Sequence, residues 1–218
     1  MMFVDASQKN RLKQCVKFNN KRKGATKMTL RELRHGQEFK LGEYKFIKLD
    51  DNEECFIITT GSIFESEFGE TDDFAKSVIL ARLEDEVLPK IEELVGANNV
   101  LEFESNLKAF DNRNKYLSIK GRISIPSFDQ YTSTKGIDVP TWNETKYWLS
   151  TSYQGECLCI GAYGTEEQKC SSIHGVRPLL KLNSNIEVEI MIEEPTHDDL
   201  WKLFGERINS YHTWTATN

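Results

Sequence analysis

The chain has 218 residues, of which 39% are hydrophobic, 28% charged and 11% aromatic. That suits one domain, with or without appendages, and supplies enough apolar side chain for a packed core, which excludes wholesale disorder. The net charge of -6 conceals a split. Residues 1–28 carry eight basic side chains (Lys9, Arg11, Lys13, Lys17, Lys21, Arg22, Lys23 and Lys27) against Asp5, a balance of +7, so the remainder holds -13. No run approaches the roughly 18 apolar residues of a membrane span.

The basic arm, residues 1–28, begins without the apolar run of a secretory signal peptide. It reads as a disordered extension, and Met28, at the head of MTLRELRHGQEF, offers an alternative start. Its sharper reading is a nucleic-acid arm, since such arms hold phosphate mainly by charge. Docking on a partner protein is the third. Cys15, Cys55, Cys157, Cys159 and Cys170 are odd in number in a chain long enough to fold without staples. Free thiols and synthesis in a reducing cytoplasm are therefore expected.

After the arm, Phe39, Leu41, Tyr44 and Phe46 alternate with Lys40, Lys45 and Lys48, the period of a half-buried sheet. Asp50-Asp51-Asn52 is a turn cluster and Cys55 to Thr60 a return strand, which together predict an antiparallel meander. A helix follows. Thr71 is its expected cap, with Asp72 and Asp73 in the first turn. Phe74, Val78, Leu83, Val87, Ile91 and Leu94 recur along it, Ile79 and Leu80 widen the apolar face, and the charged residues between form a solvated face. Pro89 predicts a kink or two abutting helices, and Gly96 a C-terminal cap.

Residues 101–121 read as loops. Arg122 to Ile125 is a short strand, and Ser127 caps a short helix through Tyr131. From Tyr147 the chain is strand-like again, with Leu158, Ile160 and Ala162 on one side of a strand and Gly164 to Glu167 as a turn. Val176 to Leu182 and Ile186 to Ile192 complete this half. In the tail, residues 193–218, Thr196 and Asp199 approach a capping box, and Leu200, Trp201, Phe204 and Ile208 share a helical face suited to packing on the domain or in a partner's groove.

Cys157, Cys159, Cys170 and His174 form a C-x-C…C-x3-H set with the ligand types of a tetrahedral zinc site. Zinc sites favour two to four residues between the first pair, so buried or surface free thiols are the leading reading and zinc the alternative. The sequence has no G-x-S-x-G elbow, no Walker loop, no G-x-G-x-x-G and no calcium-loop spacing. Asp72-Asp73 and Asp198-Asp199 fit helix starts. His35, His174, His197 and His212 read as surface histidines. No catalytic residue and no cofactor are assigned.

One constellation stands apart: Tyr147-Trp148-Leu149-Ser150-Thr151, with Gly175-Val176-Arg177-Pro178 about two dozen residues later. A strand aromatic buries a large area, and Arg-Pro in a strand implies an edge or a bulge. The structural expectation is that Trp148 packs and Arg177 braces backbone carbonyls or a carboxylate. Ligand contact is the second reading.

These residues resemble an uncharacterised domain family of Firmicutes, their phages and other mobile elements. Gly36, Phe39, Leu41, Gly42 and Tyr44 resemble its G-x-x-F-x-L-G-x-Y opening, and Ser77 to Leu83, loosely, its middle helix. Ile123 to Tyr131 is similar to its I-S-L-P-S-x-D-x-Y segment, Tyr147 to Ser152 to its W-W-L strand, and Gly175 to Pro178 to its G-V-R-P closing. Lys181 to Val188 resembles its K-x-x-S-x-I-x-V ending. The resemblance spans roughly residues 34–190. Ser150 and Ser152 depart from the family's Arg or Ala and Pro, so no site built on those residues carries over.

The resemblance implies an α+β fold like that of C-type lectins and formylglycine-generating enzymes. That is a compact domain over residues 29–192, with antiparallel strands, one long kinked helix and a loop-rich face. It implies a non-enzymatic binding domain of phage or mobile-element origin, recognising a protein or glycan through that face. The alternative is an intracellular anti-defence inhibitor, similar to anti-CRISPR proteins, acting through the acidic body. A third class, a hydrolase or formylglycine-type oxidase, needs a reactive thiol pair or a metal. No membrane partner is expected, and nucleic acid only through the arm. The expected location is the bacterial host's cytoplasm at synthesis, with virion association afterwards as one alternative and an intracellular role as the other.

Overall fold

Alternating side chains after the arm do form a sheet, in a computed structural model that describes residues 26–50, 55–108, 116–133, 146–161 and 164–190. The expected tail helix, nearly all of the arm, Asp51-Asn52 and Ala162 lie outside the described residues. In chain order the first strands are β1 (Thr26–Thr29), β2 (Glu38–Leu41), β3 (Tyr44–Lys48), β4 (Phe56–Thr59) and β5 (Phe64–Glu67). The short strands β6 (Val100–Leu101), β7 (Phe103–Asn106), β8 (Ser118–Gly121) and β9 (Ile123–Ser124) follow a helical segment. The last six are β10 (Tyr147–Tyr153), β11 (Glu156–Gly161), β12 (Gly164–Gln168), β13 (Ile173–Val176), β14 (Leu179–Leu182) and β15 (Glu187–Ile190).

The protein is mixed α+β with mostly antiparallel strands. An eight-stranded sheet runs β1-β15-β2-β3-β4-β14-β6, with β9 also on β14, and contains the expected β2-β3-β4 meander. A five-stranded sheet runs β12-β11-β10-β13-β5, in which β10 and β13 are parallel. β7 and β8 form a separate pair, so residues 101–121, expected as loops, contain three strands among their described residues. Thr26 to Met28, expected in the arm, belong instead to β1, whose Thr26 pairs with Ile190.

Alternation explains the core. Phe46 and Ile57 join Trp148, Cys157, Cys159 and Leu180 in one cluster, while Ile47, Ile58, Tyr147, Leu149, Leu158, Ile160 and Leu179 join another. Neighbouring residues of one strand thus enter opposite cores, and both sheets are covered on both faces at their centres. Lys48, expected on a polar face, is buried and donates from Nζ to the Leu33 carbonyl at 3.0 Å.

The long helix begins six residues later than its acids suggested. Asp73 caps a short 3-10 turn by accepting the Ala75 N–H at 3.1 Å, and Asp72 accepts the Tyr116 hydroxyl at 3.0 Å. Ser77 caps the helix proper, accepting from the Leu80 N–H at 3.0 Å. The helix is α1 (Val78–Arg82), a π-helical turn (Leu83–Val87) and α2 (Leu88–Val95). Buried Ile79, Leu83, Val87 and Ile91 recur every fourth residue, which drifts by about 40° per step on an α-helix. The wide turn absorbs that drift just before Pro89, which has no N–H to continue the α ladder. Gly96 closes the helix at φ 86°, its N–H on the Glu92 carbonyl, as expected.

Ser77→Ala removes both the cap and the hydroxyl's bond to the Phe74 carbonyl. It should cost about 1 kcal/mol and lower Tm by about 2–4 °C, read by differential scanning calorimetry. Ser127 behaves as expected, accepting from the Gln130 N–H at 3.2 Å at the start of α3 (Phe128–Ser133).

Candidate functional site

Two stretches of chain pass side by side from one sheet to the other. β4 leads to β5, and β13 leads to β14 through Arg177-Pro178, while β14 pairs with β4 and β13 with β5. The segment from Val176 to Leu182, expected as one strand, is therefore divided between two sheets. Pro178 sits at the division, where the absence of an N–H costs no ladder bond. Across the bend the ladder continues from the Ile63 N–H to the Val176 carbonyl (2.9 Å) and from the Thr59 N–H to the Pro178 carbonyl (3.3 Å).

Arg177 braces this corner. Its Nε donates to the Thr59 carbonyl at 3.1 Å and its Nη2 to the Thr60 carbonyl, and its guanidinium lies 4.9 Å from the Tyr147 ring centre. The residue is 1% exposed, and burial pulls its pKa below the ordinary value, opposed by Tyr147. Burial raises the Tyr147 hydroxyl, with Arg177 opposing. A Cβ on Gly175 would collide with the Ser62 hydroxyl and stand 3.0 Å from the Lys146 carbonyl, so only glycine lets these backbones meet. Trp148, 0% exposed, donates from Nε1 to the Ser66 carbonyl at 2.8 Å, with Phe68 at 5.5 Å and His174 at 4.6 Å between ring centres.

Tyr147, Trp148, Leu149, Ser150, Thr151, Gly175, Val176, Arg177 and Pro178 are all buried. They are brought together, but inside the molecule.

The thiols depart from expectation. The β11–β12 hairpin returns the chain so that the Cα atoms of Cys157 and Cys170 are 5.5 Å apart, and the two form a disulfide, not the free thiols expected. Cys159, two residues along the same face, keeps a buried free thiol, which burial pushes up to about 11. His174 packs on Trp148 instead of closing a zinc set with the cysteines. Among the described residues no group of three or more His, Cys, Asp or Glu side chains is arranged to hold a metal ion.

Lys146 and Glu166 flank Cys159. Their charged atoms are 2.6 Å apart, and Glu166 is directly opposite Cys159 across β11 and β12. Lys146, just before β10, carries no signal of its own in the sequence, and reading Gly164 to Glu167 as a turn hides Glu166. Taken as a strand, the same residues alternate in exposure and carry Glu166 to the cysteine face.

Burial lowers the His174 pKa, helped by Lys146 and opposed by Glu166 and Glu65. The folded protein therefore gives up this proton before the unfolded chain does. Its contribution to stability is full above the unfolded value of about 6.5 and is lost as pH falls through the folded value. Urea midpoints should fall more between pH 7 and pH 5 for the wild type than for His174→Gln.

No protein-family model matches this chain, and neither a curated protein nor a solved structure matches it. Among the described residues no helix is long and apolar enough to cross a membrane.

Proposed function

We propose that this protein is a binding domain without catalytic chemistry of its own, of phage or mobile-element origin. On this reading it has a C-type-lectin-like scaffold and recognises a protein or glycan through loops. One observation supports this above the others: the most distinctive residues of the sequence, Trp148 and the Gly175-to-Pro178 run, are interior and brace two sheets against each other. A signature used for scaffolding leaves recognition to the surface around it.

A second reading, an intracellular inhibitor of a bacterial defence complex, is favoured by charge. Glu84, Asp85, Glu86 and Glu93 are exposed on the long helix, and Glu65, Glu67 and Glu70 are exposed just before it. Such a face suits a basic, nucleic-acid-binding channel.

Tagged full-length protein, incubated with host lysate, purified virions and cell-wall fragments, separates the two. Retention on virions or wall material that survives Glu84→Lys/Asp85→Lys/Glu86→Lys/Glu93→Lys supports the loop reading. Recovery of a nuclease complex, released by salt and lost in the charge-reversed variant, supports the inhibitor. Retention by none of the three, with the variant folded, rejects both.

A further inference from the structure

The Cys157–Cys170 disulfide joins a fully buried residue to a partly buried one. Cys157 lies on the core face of β11 and is 1% exposed. Cys170 is only partly buried, in the turn after β12, between exposed Lys169 and Ser171. The main chain of that turn carries a further load. The Cys170 carbonyl accepts the N–H groups of Phe68 (2.8 Å) and Gly69 (3.2 Å), where the chain leaves β5 for the helix. The Phe68 carbonyl in turn accepts the N–H of Val78, the first residue of the helix, at 3.0 Å. A line of bonds thus runs from the sulfur, through Cys170 and Phe68, to the helix start.

We propose that Cys170 is a thiol-exchange site, at which a low-molecular-weight thiol of the glutathione class opens the disulfide and unhooks the start of the long helix from the five-stranded sheet. This inference stands apart from the binding reading. The thiolate attacks the Cys170 Sγ, the S–S bond breaks, and its electron pair leaves on the Cys157 Sγ, which takes a proton from solvent. A second thiol attacks the mixed disulfide, leaving Cys170 as a thiol and releasing the oxidised small-molecule disulfide. The protein gains two electrons and two protons, and the two small thiols supply them. Lys169 favours approach of an anionic thiolate. Cys159 stays protonated at neutral pH because of its burial, so it does not compete for the bond.

The test treats the full-length oxidised protein with graded glutathione buffers, quenches with acid, and maps adducts by peptide mass spectrometry alongside amide hydrogen exchange. The expected adduct is on Cys170, with none on Cys157 or Cys159. Amides of Phe68 to Leu80 should exchange about tenfold faster or more after reduction, as the bonds of Phe68, Gly69 and Val78 open locally, while β2 and β3 lose far less protection. Cys159→Ser should leave both results unchanged. An adduct on Cys157, migration of the bond to Cys159, complete resistance to glutathione, or uniform loss of protection across both sheets would each overturn the proposal.

Discussion

Arg177→Ala should lower the free energy of unfolding by about 3–5 kcal/mol, read as a shift in the urea midpoint followed by tryptophan fluorescence. The substitution removes charge-assisted bonds worth about 1.5–3 kcal/mol each and leaves the Thr59 and Thr60 carbonyls facing a cavity at the corner between two sheets. Domain stabilities are about 5–15 kcal/mol, so the variant would be near the limit of folding. Arg177→Met separates bonding from volume: it restores most of the packing but no donor, and should recover less than half of the loss. Arg177→Lys supplies a single compact ammonium where a planar fork meets two carbonyls, and should also remain well below the wild type. A methionine variant as stable as the wild type would show that Arg177 contributes through packing alone.

Trp148→Ala should be as severe, about 3–5 kcal/mol, because it empties the space between Phe68 and His174. Trp148→Phe isolates the polar part. It keeps an aromatic ring but loses the indole N–H that meets the buried Ser66 carbonyl, which should cost about 1–3 kcal/mol. Thermal unfolding by near-ultraviolet circular dichroism would report both, and an alanine variant with an unchanged Tm would remove Trp148 from its place in the core argument.

The sequence was most legible where a signal is local. The Ser127 and Gly96 caps depend on residues three or four positions apart, and the β2-β3-β4 meander on strands that follow one another directly in the chain. The site was less legible because its meaning is tertiary. Arg177-Pro178 announced an irregular strand, but not that β13 and β14 serve different sheets, since the partners Thr59 and Thr60 are far earlier in the chain. Asp72 and Asp73 resembled a first helical turn, yet the stronger cap was Ser77, and Asp72 serves Tyr116 instead. The disulfide was hidden for a similar reason: cysteine parity carries no distance, whereas the β11–β12 hairpin does.

The strand order has a consequence for biosynthesis. β1 and β2 find a partner in β15, β4 in β14, and β5 in β13, so the first third of the chain waits for residues 173–190 to leave the ribosome. Until then, within that third, only the β2-β3-β4 meander has strand neighbours, and Phe64 has no β13 to meet. Pairings this distant in sequence form late and leave strand edges open to other chains. Translation that halts before β13 would therefore yield an aggregation-prone nascent chain, not a smaller folded domain.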